Sequence, residues 1–296
     1  MSDFDLRVIS LGAGVQSTTL YRMAALGEIG PMPDAAIFAD TQQEPPHVYE
    51  NLERLKADHG HVIPIEVATA GDLGDAVETG MNSSGGRFAA VPFWVAGEDG
   101  KETPGRRQCT REYKIDVVKR RTRELLGLAK GQRAAGRFHV EEWVGISLDE
   151  ATRAKPSRTS WVTTRWPLLE PGVNMRRTDC YEWLAGHGFP IPGKSACTFC
   201  PYRGPEEWLE WRRDHPELWE EACKWDDAIR SSGTNQRMRN QQFVLRLLRP
   251  MRDVGEEELA AWAAKVRARR EMKEAGGIQL GLDDWFDEEC EGMCDV

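Results

Sequence analysis

Apolar runs near the start of the chain alternate with stretches of helical spacing. Leu6-Arg7-Val8-Ile9-Ser10-Leu11 is a short apolar run leading directly into glycine, the pattern of a buried strand that feeds a turn. Ser17 to Leu26 then reads as a helix, with Gly27 at its end. A second run, Ala35 to Ala39, stops at Asp40-Thr41, and Pro45-Pro46 opens a helix with Val48, Leu52 and Leu55 at helical spacing. His61 to Val67 reads as a third strand, Thr110 to Leu126 as a helix and Glu141 to Ile146 as a further strand. Strands alternating with helices predict an α/β fold built on a doubly wound parallel sheet, with ligands at the carboxyl ends of its strands. The glycine turn after Leu11 and the acid at Asp40 both fall there.

Beyond Cys200 the pattern changes to helices without strands. Helical spacing covers Trp208 to Arg213, Glu217 to Arg230, Asn235 to Leu248 and Glu256 to Lys273, and the tryptophans on these stretches read as core. Gly80 to Gly105, rich in Gly, Ser and Asn, reads as an irregular active-site loop. The division expected is a nucleotide-binding α/β domain over 1–175, a cysteine-bearing helical region over 176–275 and an acidic flexible tail over 276–296.

Composition narrows the class. No apolar run approaches the length that crosses a bilayer, and the first residues lack a secretory pattern. Seven cysteines in such a chain point to a reducing, cytoplasmic setting in which thiols act as ligands or catalysts. A formal charge of −9 argues against indiscriminate nucleic-acid binding, although Arg106 to Arg123 is locally basic. That basic segment reads either as a phosphate-binding surface or as a solvated helix face.

Two features carry chemistry. Gly12-Ala13-Gly14-Val15-Gln16-Ser17, between a strand and a helix, forms an anion cradle, because unpaired amides at a helix start point at phosphates. Without a Gly-Lys-Ser/Thr it is not a Walker A loop, while a degenerate dinucleotide fingerprint, with Asp40 on a ribose, is a rival. The second feature is Cys197-Thr198-Phe199-Cys200, a turn that presents two soft ligands and reads as a metal knuckle, a redox pair or half of a larger site. Cys109 and Cys180 lie in Arg-bearing segments upstream, and Cys223 reads as core.

Ser10 to Ser17 resembles the pyrophosphate loop of the adenine nucleotide α-hydrolase superfamily, whose usual form is Ser-Gly-Gly-x-Asp-Ser. Asp40-Thr41-x-x-Glu44 is loosely similar to the Asp-Thr segment of phosphoadenylyl-sulfate (PAPS) reductases. Gly145-Ile146-Ser147-x-Asp149-Glu150-x-x-Arg153 resembles the far edge of that family's nucleotide site. A Cys-x-x-x-x-Lys stretch, here Cys109 to Lys114, occurs in these reductases and in relatives that modify DNA with phosphorothioate. The resemblance implies a nucleotide site of Ser10, Gly12, Ala13, Gly14, Gln16, Ser17, Thr18, Asp40 and Gly145, with Ser17, Arg111, Lys114 and Arg153 in catalysis. It also implies ATP with magnesium, and a [4Fe–4S] cluster, or zinc in its place, on Cys109, Cys180, Cys197 and Cys200.

The leading expectation is an ATP pyrophosphatase that adenylates a sulfur acceptor, closest in type to DNA phosphorothioation enzymes. A cysteine desulfurase would then donate sulfur, DNA would be met through other subunits, no membrane would be involved, and self-association stays open. The alternatives are a PAPS or adenylyl-sulfate reductase-like enzyme and a non-catalytic nucleotide-binding subunit with a structural metal. Glu289-Cys290-Glu291-Gly292 faintly resembles the reductases' mobile tail; with Cys294 it reads as a sulfur shuttle or an inert end.

Overall fold

The computed structural model describes residues 4–81, 91–97, 100–231 and 240–274, apart from the side chains of Arg270, Lys273 and Glu274. The expected tail, with Cys290 and Cys294, lies outside the described residues. In chain order the elements are β1 (Leu6–Leu11), α1 (Val15–Ala25), β2 (Ala35–Asp40), α2 (Pro46–His59), β3 (Ile65–Thr69), α3 (Leu73–Thr79), β4 (Trp94–Ala96) and β5 (Glu102–Pro104). There follow α4 (Asp116–Leu125), β6 (Val140–Val144), β7 (Val162–Arg165), α5 (Arg177–Gly186), α6 (Pro205–Asp214), α7 (Pro216–Ser231), β8 (Gln242–Phe243) and α8 (Glu256–Glu274).

The described residues divide into two compact units, one of residues up to Gly71 with Thr110–Ser195, the other of the described residues in Asp72–Cys109 and from Ala196 to Glu274. Both are discontinuous in sequence, so the boundary expected at 175/176 does not coincide with the structural one. Residues 176–195, including α5, pack into the first unit because Leu184 and Cys180 are fully buried in its core.

In the first unit five strands form a sheet of order β3-β2-β1-β6-β7, every neighbouring pair parallel. Alternate side chains face opposite layers, as the period of a strand requires. Ile9, Leu11, Ala36, Phe38 and Trp143 meet Leu20, Tyr21, Val48, Leu52, Leu55 and Leu184 of α1, α2 and α5. On the other face Val8, Ile37, Ala39, Val140 and Val162 meet Val117 and Val118 of α4. Helices cover both faces, so the doubly wound α/β sheet holds. Strand order reverses direction of growth between β1 and β6, which opens a crevice at their carboxyl ends.

The expected third strand is displaced. His59 to Ile63 is a turn in which the amides of Val62 and Ile63 donate to the His59 carbonyl, and β3 begins only after Pro64. The basic run on α4 is largely engaged within its own unit. Arg120 donates to the Thr69 carbonyl at 2.6 Å, and Arg121 pairs with Glu66 at 2.9 Å and Glu124 at 2.8 Å.

The second unit contains a small antiparallel sheet of order β5-β4-β8 with helices α3, α6, α7 and α8. Two expectations are corrected here. The described part of Gly80 to Gly105 is not irregular, since β4 and β5 pair as a hairpin; its remaining residues lie outside the described ones. The described part of Asn235 to Leu248 is not helical, because Phe243 pairs with Trp94 in the sheet. The following turn is held by fully buried Asp226, which accepts the amides of Val244 and Met251 at 2.9 and 2.8 Å.

Candidate nucleotide-binding site

A cleft of about 540 Å³ opens at the carboxyl ends of β1, β2 and β6, lined by Ser10, Gly12, Gly14 and Ser17 of the loop, by Gly145, and by Glu44, Lys114 and Ser195. The loop is shaped by Ala13, whose φ of 58° lies in the left-handed region where glycine is usual. That conformation costs roughly 1 kcal/mol for an L residue. Burial of the Ala13 methyl in the core gives back ~0.8 kcal/mol, so alanine is tolerated. α1 begins immediately after Gly14, so its unpaired first-turn amides lie at the loop.

Asn51 of α2 fixes the loop from behind. It is 1% exposed and donates to the Ala13 carbonyl and to Thr18 Oγ1, both at 2.9 Å. Gly145 closes the other wall, since a Cβ there would stand 2.9 Å from both Cα and N of Ser17. Only glycine lets the end of β6 approach the loop this closely. Gln16 reaches away from the cleft, with its amide at 3.5 Å from Ser147 Oγ and 3.4 Å from Glu150 Oε2.

The charged wall comes from a distant part of the chain. Arg111–Ile115 forms a turn of π-helix before α4, an extra-residue winding frequent at functional sites. It carries Lys114 into the cleft, where Nζ lies 3.2 Å from Glu44 Oε1. The other oxygen of Glu44 accepts from Ser195 Oγ at 3.2 Å. The Glu44 side chain is 1% exposed, so its oxygens are held by protein groups and Lys114 is fixed in direction. His47 donates its Nε2–H to the Lys194 carbonyl, 3.0 Å away, and keeps the Ser195 segment against this carboxylate.

Of the residues singled out from the sequence, Ser10, Gly12, Gly14, Ser17, Lys114 and Gly145 come together in this cleft. Ala13, Gln16 and Thr18 are buried behind it. Asp40 does not line it: the carboxylate accepts the Gln42 amide at 2.8 Å and the Tyr49 hydroxyl at 2.9 Å, forming a turn. Burial and that bond push the Tyr49 phenol above its usual range. Arg111 is largely exposed and pairs with Asp116 at 3.8 Å. Arg153, ion-paired with Glu150, lines a separate cleft beside the end of β6. Sequence reasoning passed over Asn51 and Ser195, which act through partners 33 to 151 residues away and carry no local signal.

The four cysteines have different surroundings. Cys180 is fully buried in the core of the first unit, among apolar side chains. Cys109, Cys197 and Cys200 belong to the second unit. Their Cys-x-x-Cys turn is rigidly built: the Cys200 amide donates to the Cys197 carbonyl at 2.9 Å, and Arg203 donates to the carbonyls of Ala196 and Cys197 at 2.9 and 3.3 Å. The Arg203 guanidinium lies 3.8 Å from the centre of the Trp211 ring, and fully buried Phe199 packs on Phe93 and Trp225. Among the described residues no group of three or more His, Cys, Asp or Glu side chains that could hold a metal ion is found. Burial raises the Cys223 thiol to about 12, which keeps it protonated and inert. Among the described residues no helix is long and apolar enough to cross a membrane.

No protein-family model matches the chain, and no curated protein matches it. Among solved structures, it is similar to the phosphoadenylyl-sulfate (PAPS) reductase of Candida auris, determined as a phosphate complex. The two are 11% identical, the match covers 66% of this chain and 81% of the reductase, and the TM-score is 0.38.

Proposed function

We propose that the chain is an enzyme that binds magnesium–ATP in the loop cleft and cleaves it between the α- and β-phosphorus, so activating an acceptor oxygen. The observation that carries this reading is the convergence on one cleft of a helix N-terminus, the Ser17 hydroxyl and a lysine fixed on a buried carboxylate. In this scheme the acceptor oxygen bonds to the α-phosphorus while its bond to the pyrophosphate bridging oxygen breaks. The departing pyrophosphate is held by the loop amides, Ser17 and Lys114, groups that need little reorganisation as charge develops. Magnesium bound with ATP would supply charge neutralisation of the phosphates. The adenylated oxygen is then a good leaving group for a nucleophile that displaces AMP.

The test is release of labelled pyrophosphate and AMP from ATP. Lys114→Met is expected to lower kcat by about a hundredfold, the scale of losing one charge-stabilising donor. ATP bound without any pyrophosphate release would leave a non-catalytic nucleotide-binding protein. Thiol-dependent sulfite release from PAPS would assign the chain to the reductase alternative.

A further inference from the structure

The Cys197-Thr198-Phe199-Cys200 turn has no part in the nucleotide chemistry and belongs wholly to the second unit. Both of its cysteines are free thiols. The 2.9 Å hydrogen bond from the Cys200 amide to the Cys197 carbonyl makes them the first and last residues of a four-residue turn. Such a turn keeps its end Cα atoms within about 7 Å, and a disulfide spans Cα separations of about 4.4–6.8 Å. The backbone therefore already stands near the closing distance. Contacts on both sides hold it there. Phe199, inside the turn and fully buried, packs on Phe93 and Trp225. The Pro201 carbonyl, directly after it, accepts the Trp94 indole N–H at 3.1 Å. Buried Arg203 pairs with Glu207, lies on the Trp211 ring and donates to the carbonyls of Ala196 and Cys197.

The two thiols differ in access, since Cys197 is 8% exposed and Cys200 only half-buried. One sulfur is open to a reagent and the other waits behind it, the division between an attacking and a resolving thiol. Arg107 sets its guanidinium 5.1 Å from the centre of the Tyr202 ring, which brings positive charge to the Cys200 end of the turn. We infer that the turn is a thiol–disulfide centre whose substrate is a small disulfide bearing carboxylates, of the glutathione type. The Cys200 thiolate attacks one sulfur of the substrate, the substrate S–S bond breaks, and a thiolate leaves with the electron pair. The Cys197 thiolate then attacks the Cys200 sulfur of the mixed disulfide and expels the second thiolate. Two cysteine thiols are oxidised to one disulfide, one substrate disulfide is reduced to two thiols, and the two protons lost by the cysteines end on the departing thiolates. A dithiol from outside the chain returns the turn to its reduced form by the same exchange. Arg107 meets a carboxylate of the substrate.

The experiment equilibrates the full, reduced chain with mixtures of reduced and oxidised glutathione, quenches with acid, alkylates the remaining thiols and maps the peptides by mass spectrometry. Cys197 and Cys200 are expected to lose their alkyl label together in one two-electron transition, as a disulfide between them, while buried Cys223 keeps its own. Cys197→Ser should stop the reaction at a glutathione adduct on Cys200, and Cys200→Ser should abolish both adduct and disulfide. Arg107→Ala is expected to slow oxidation by glutathione disulfide about tenfold and to leave oxidation by uncharged hydroxyethyl disulfide unchanged, which separates charge recognition from lost packing. Independent labelling of the two cysteines in the wild-type chain would overturn the inference. Pairing of either with another cysteine would do the same, as would bound iron or zinc that shields both from glutathione disulfide. Equal slowing of both reagents by Arg107→Ala would overturn the assignment of an anionic substrate. No readout uses ATP, so the outcome is independent of pyrophosphate release.

Discussion

Gly145 allows no side chain, because a Cβ would press within 2.9 Å of two backbone atoms of Ser17 that are themselves fixed. Gly145→Ala is therefore expected to push the loop away from β6, lowering ATP affinity at least tenfold and stability by about 1–3 kcal/mol, readable by calorimetry and urea melts. Glu44→Gln keeps the shape and an acceptor for Ser195 but removes the charge that fixes Lys114. It is expected to lower kcat about tenfold with a smaller change in KM; unchanged kcat would show that the pair does not position Lys114. His59 gives a pH signature. Burial, then the neighbouring Arg22, holds its pKa below the usual 6.5, so between that value and the lower folded value the unfolded chain binds more protons. Stability is full above about 6.5 and falls as the pH drops toward the folded value, and His59→Gln should flatten that slope in urea melts. Gly12, Gly14, Ser17 and Gly145 were legible in the sequence because a backbone requirement leaves a residue type behind. Glu44 stood in a recognisable segment, but its grip on Lys114 and Ser195 was not legible, since it depends on chain ends 70 and 151 residues away.

Elements followed the sequence where burial and local pattern agreed. β1 spans Leu6–Leu11 as the apolar run predicts, and Pro46 opens α2 because a proline there forfeits no helical hydrogen bond. β7 left no expectation, because Val162–Arg165 is a four-residue segment with a weak pattern. The described residues 240–248 went wrong because Val244 and Leu245 are buried by the turn around Asp226, and a buried turn imitates a buried helix. The π-helical turn was read as ordinary helix, yet its extra residue sets the phase of Lys114. Deleting Glu112 should restore regular α-helix and swing Lys114 off Glu44 by about 100°, one residue's rotation at 3.6 residues per turn. The expected result is loss of pyrophosphate release with little loss of helix content; retained activity would show that the winding does not matter. On the second unit, Arg203→Met should keep an apolar contact with Trp211 but leave the carbonyls of Ala196 and Cys197 without their donor. Faster labelling of Cys200 by a thiol reagent is the readout.

At the scale of the molecule the chain passes between units at 71/72, 109/110 and 195/196, so neither unit is a continuous stretch of sequence. Periodicity reports elements and not which core an element joins, which is why α5 was assigned to the wrong side of a boundary. Two cores also imply that unfolding need not be a single step. Nucleotide binds only the folded first unit in the reading proposed here, so ATP at a hundred times its Kd should stabilise that unit by about 2.7 kcal/mol. For units of this size that corresponds to a rise in Tm of roughly 5–10 °C. Differential scanning calorimetry is expected to move the transition of the nucleotide unit by this amount, and hydrogen exchange to assign it through new protection at the amides of Gly14 to Ser17. Gly145→Ala should abolish both effects together, because one packing contact shapes the cradle that the phosphates need. A shift in Tm without protection at those amides would place the ATP elsewhere and remove the loop cleft from the mechanism.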